Sequence, residues 1–113
     1  MLFVGERCVL PRVWRAESAW ERARGLLGRP PLAAGEGLWI EPCGSVHTFG
    51  MGYPIDLAFV GGDARLRKLV RALPPLRLAG CAGARATLET AAGQLAQAGL
   101  GDGDYLTWRE ARA

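Results

Sequence analysis

The amino-acid sequence predicts a mainly β protein with two short helices, folded as a small antiparallel β-sandwich or barrel-like single domain over residues 1–113. Three observations carry this expectation. Sixteen glycines and seven prolines cut the chain into short segments, which favours strands over long helices. Those segments read as short apolar or alternating runs with turn residues between them. The long, regularly alternating helices of a doubly wound fold are missing. A chain of 113 residues still buries roughly two-thirds of its unfolded surface, so it needs no staples.

In chain order, Arg7 to Arg15 alternates loosely and is expected to be a strand. Ser18 and Glu21 have capping-box spacing and open a helix from Ala19 to Leu27. Trp20, Ala23, Leu26 and Leu27 would share its buried face, and Gly28 with "RPP" would stop it. "GLWIEP" is a strand candidate ending at Pro42, and "VHTFGM" reads as extended. Ile55 to Val60 is the clearest strand; "GGD" turns it into a second, Arg65 to Ala72. "RATLE" is a further strand, and "GQLAQAGL" a short helix with Gly99 as its left-handed stop. Tyr105 to Arg109 closes the set.

Composition removes several function classes. The net charge is +3, and the basic residues are spread along the chain instead of clustered with aromatics, which argues against nucleic-acid binding. No apolar run approaches the roughly 20 residues that span a bilayer, and no signal peptide is evident, so a cytoplasmic protein is expected. There Cys8, Cys43 and Cys81 would stay thiols, and their odd number excludes a full disulfide framework. Phosphate-loop, dinucleotide, zincin and CxxC signatures are all missing, and no cofactor is implied.

"PCGSVHTFGMGYPIDLAFV" carries the unusual chemistry: the single histidine, His47, with Cys43, Met51 and Asp56. Cys43, His47 and Met51 are four apart and soft enough to ligate a metal. A helix would bring them together, but the glycines and prolines forbid one. In a strand four residues span about 13 Å, too far for a shared ion; a metal site would need a sharp bend or outside help such as Cys81, and none is assigned. Ser45, His47, Phe49 and Met51 would instead line one side of a pocket, or Phe49 and Met51 would be plain core with His47 hydrogen-bonded at its edge. Asp56 faces away from Ile55, Leu57 and Phe59, on an otherwise apolar side with Ala58 and Val60. Such an acid must be paired, hydrogen-bonded or neutral. It is expected either to accept backbone N–H groups or to serve a site opposite Arg77 or His47; Glu89 poses the same question.

Three stretches, "RARGLLGRPPLAAGEGLWI", "CGSVHTFGMGYPIDLAFV" and "ARATLETAAGQLAQAGLGDGD", resemble in order the motifs of the domain-of-unknown-function family numbered 192. The resemblance runs from about Ala23 to Tyr105; Leu38, Gly62 and the Thr87–Thr90 segment depart from the usual pattern. It implies a small, mostly antiparallel β fold without a settled activity, and many similar proteins look exported. It also directs attention to Cys43, His47, Thr48, Met51, Asp56 and Glu89, with Arg24 and Arg77 as neighbouring cations. These would form a concavity for a small anionic ligand, since arginine offers carboxylate or phosphate a planar fork. The expected function is thus a small binding or accessory domain; the alternative is a small enzyme with His47 as general base, assisted by Asp56 or a cysteine.

Overall fold

The computed structural model describes residues 1–16, 18, 22 and 25–109. Its centre is a five-stranded sheet built on β6, Ile55–Gly61. The run "IDLAFVG" is buried along its whole length, because both its faces and both its edges are covered. On one edge lies β7, Leu66–Leu73, joined through the expected "GGD" hairpin. The turn closes with the Ala64 N–H donating to the Gly61 carbonyl at 3.0 Å. On the other edge lies β9, Ala84–Ala91, followed by β4, Glu36–Ile40, and β3, Arg12–Arg15. All pairs are antiparallel except β3–β4, which is parallel.

Two smaller sheets flank this one. One is β10–β1–β2, made of Thr107–Trp108, Leu2–Val4 and Arg7–Leu10. The other is a ribbon of β5, Ser45–His47, paired antiparallel with β8, Leu78–Gly80. Among the described residues the architecture is mainly β, without a closed barrel. One helix, α1, Gln94–Ala98, lies wholly among the described residues. Gly99 ends it in the left-handed conformation, φ 72°, as its sequence position implies.

Several boundaries differ from expectation. The run Arg7 to Arg15 is divided at Pro11, which has no N–H for a ladder; β2 joins one sheet and β3 another. The helix expected from Ala19 to Leu27 lies mostly outside the described residues, including Trp20, Ala23 and Arg24. Its end is a turn at 25–28, with Leu26 buried as its apolar spacing suggested. "VHTFGM" is extended only through His47. After it the Met51 N–H reaches the Thr48 carbonyl at 3.2 Å and the chain reverses at Gly50, φ 84°.

Each face of the central sheet packs on its own apolar core. Ile55, Leu57 and Phe59 point into one core with Leu26, Leu38, Ile40 and Met51. Ala58 and Val60 point into the other with Leu88, Leu95, Ala98 and Leu100. A strand sealed on both faces reads as a continuous apolar run, so a charge within it has to be accounted for by its partners.

Candidate functional site

Two buried acids sit on the neighbouring strands β6 and β9, and the register separates them. Asp56 pairs with Thr90, and Glu89 pairs with Leu57 and, across its other edge, Leu38. Directly paired residues share a face, so Glu89 projects into the core of Leu38 and Leu57. Asp56 projects to the other side, beneath α1. No single hollow receives both side chains.

Asp56 is fully buried, and both its oxygens are engaged. Oδ1 accepts the Ala72 N–H at 2.7 Å; Oδ2 accepts the Gly93 and Leu95 N–H groups at 3.0 and 3.2 Å. It therefore ties the end of β7 and the start of α1 to the central strand. This is the backbone-accepting role that the sequence left open, and the expected approach to His47 or Arg77 does not occur.

Glu89 has a different setting. It is 2 % exposed and takes the Leu26 N–H. Burial raises its pKa from an ordinary 4.5 to about 7, outweighing the Leu26 hydrogen bond and the nearby Arg29 guanidinium, which both lower it. The chain crosses tightly over the carboxyl at Gly25: with φ at 54°, a β-carbon there would lie 3.0 Å from Oε2. Arg29 is held in place by its Nε donating to the Gly25 carbonyl at 3.1 Å. The Tyr53 hydroxyl donates to the Arg29 carbonyl at 3.0 Å, and its pKa is raised by burial and then by the charge of Glu89.

Glu89 forms part of the wall of a hollow of ≈ 140 Å³. Arg22, Cys43, Ser45 and His47 supply the rest of its polar lining; Leu26, Ile40, Val46 and Met51 supply the apolar part. Ser45 and His47 are exposed while Glu89 is not, so the hollow opens beside β5 and deepens toward the carboxyl. The reversal at Gly50 brings Met51 and His47 to one wall, where a continuous strand would have carried them about 13 Å apart. Among the described residues no three His, Cys, Asp or Glu groups are placed to hold a metal ion.

Thr48 is buried with its hydroxyl saturated: it donates to the Pro74 carbonyl at 2.7 Å and accepts the Arg77 N–H at 2.9 Å. It anchors the β5 end to the segment before β8 and does not line the hollow. Arg77 is exposed, its guanidinium donating to the Leu76 carbonyl at 3.3 Å, and it too lies off the hollow. Arg24 lies outside the described residues. The Cys43 thiol donates to the Ser45 carbonyl at 3.2 Å. The cation that does line the hollow, Arg22, was missed by sequence reasoning. So was Gly25, although a glycine ahead of an apolar pair is a signal for close backbone approach.

The model of the family described as "Uncharacterized ACR", DUF192, matches residues 4–108. The chain belongs to this family. Among solved structures it is similar to a protein of unknown function from Novosphingobium aromaticivorans, with a TM-score of 0.76 and 28 % identity over 85 % of this chain and 74 % of that one. It is similar in fold to a putative transcription regulator from Sinorhizobium meliloti, with a TM-score of 0.75 and 22 % identity over 84 % and 79 % of the two chains. No curated protein matches it. Among the described residues, no helix is long and apolar enough to cross a membrane.

Proposed function

We propose that the chain is a small binding domain whose hollow beside β5 takes a small anionic ligand. One observation carries this reading: Arg22, Cys43 with His47, and Glu89 come from three separate parts of the chain and converge on one opening with apolar walls. A fold that needed only stability would fill such a space with apolar side chains or close it. The lining supplies a fixed cation in Arg22 and a donor in Glu89 whenever that carboxyl is protonated. The volume suits several waters or one small head group. Three unpaired thiols suit a reducing compartment, and a cytoplasmic address belongs to this reading.

A thermal-shift screen of inorganic and organic anions at pH 6 tests it. Hits should raise the melting temperature of the wild type and lose that effect in His47→Ala and Arg22→Ala. A screen without hits, or hits indifferent to both variants, overturns it.

The enzyme reading keeps one supporting observation, since His47, Cys43 and Glu89 line the same hollow. Glu89 replaces Asp56 as the acid in that reading. Among the described residues His47 makes no hydrogen bond to an acid or a thiol; its imidazole stacks on Phe49. Binding is therefore the better supported of the two.

A further inference from the structure

We propose that the ligand is an amphipathic acid, with its acidic head in the hollow and its apolar body across Phe49, Leu76 and Leu78. This rests on the hollow being a binding site, and it names the class of molecule. His47 is the boundary between the two parts. In the β5–β8 ribbon it stands directly opposite Leu78, so both side chains leave the same face. Phe49 stacks on the imidazole with ring centroids 5.5 Å apart. The Leu76 N–H donates to the Thr48 carbonyl at 3.2 Å, which seats Leu76 beside Phe49 in the chain path.

These three side chains are 46 %, 65 % and 72 % exposed. The opposite face of the ribbon, Val46 and Ala79, already packs into the core. Folding therefore leaves most of Leu76 and Leu78, and nearly half of Phe49, uncovered. Scattered exposed apolar residues are ordinary, but a group of them at the mouth of a polar hollow has the composition of a ligand site. The hollow, at ≈ 140 Å³, holds a head group and leaves a longer chain outside, where this ledge begins.

The sign of the head group follows from the charges around the mouth. Residues 42–54 and 74–83, which build the ribbon and its turns, contain no aspartate or glutamate. They contain Arg77, and the Lys68 ammonium reaches the ribbon at the Gly80 carbonyl, 2.9 Å away. With Arg22 in the lining, an anion meets cations on its way in, whereas the described residues of the ribbon and its turns offer an alkylammonium no acid.

The test is a homologous series of straight-chain carboxylates, acetate to octanoate, titrated calorimetrically at pH 6 into the wild type and a Leu76→Ser/Leu78→Ser double variant. Affinity should rise about two- to fourfold per methylene once the chain leaves the hollow. The double variant should bind acetate as the wild type does and lose the gain along the series. Both residues are exposed, so its melting temperature should match the wild type. Short acids that bind with no gain along the series overturn the amphipathic ligand and leave the binding site standing. Preference for the matching alkylammonium series overturns the acidic head. A dimer in sedimentation that the double variant dissociates, with no chain-length gain, makes the ledge a self-interface and overturns the proposal. No binding by any acid removes the binding site as well.

Discussion

Asp56 and Glu89 lie on adjacent strands, one register position apart, and both are buried. The molecule treats them in opposite ways. Asp56 meets three backbone N–H groups that consume its acceptor capacity and fix it as a structural tie. Glu89 has one backbone N–H donor in Leu26 and a hollow beside it, so burial dominates and moves its titration to about 7. Burial alone therefore does not identify a functional acid. The number of donors committed to each is what separates the two.

Removing Asp56 should give the largest effect. Asp56→Ala leaves three N–H groups without their acceptor, one of them buried, and is expected to cost about 3–5 kcal/mol in urea denaturation. A loss below about 1 kcal/mol would erase the contrast with Glu89. Next comes the pH dependence of the wild type. Glu89 binds its proton more tightly folded than unfolded, so its contribution is favourable below about 4.5 and declines as pH rises to about 7. The decline should amount to about 2–3 kcal/mol between pH 5 and 8, and Glu89→Gln should flatten it. Denaturation at several pH values measures both; a profile unchanged by Glu89→Gln would place the titration elsewhere.

Gly25→Ala is expected to cost about 1–2 kcal/mol, because the residue has a positive φ and its new methyl would crowd the Glu89 oxygens. An unchanged midpoint would mean that the crossing over the carboxyl is loose. The smallest effect belongs to His47→Ala, about 1 kcal/mol or less, since the imidazole is exposed. A larger loss would make that histidine part of the core and not of the opening.

The elements that were legible are those whose pattern is long enough to have a period. Ile55 to Val60, its hairpin partner and the helix ending at Gly99 were read close to where they occur. β1 and β8, three residues each, are too short to show alternation. The parallel β3–β4 pair joins residues far apart in the chain, which no local pattern encodes. For the site, alternation correctly opposed Asp56 to Ile55 and Leu57, and left Glu89 as an open question. Deciding between the acids required knowing that Leu57, and not Asp56, faces Glu89 across the ladder. That is long-range information. The concave wall was hidden for a second reason: Gly50 turns a run that looked straight, and the angle of that turn is what makes a hollow.

The middle strand has one more consequence. With neighbours along both edges and apolar cores above and below, the amides of Ile55–Gly61 have no local route to solvent. Deuterium should enter them only when the whole molecule comes apart, whereas the short β5–β8 ribbon can fray by itself. One strand thus serves as an internal clock for global opening, against which the looseness of the ribbon can be timed in the same tube.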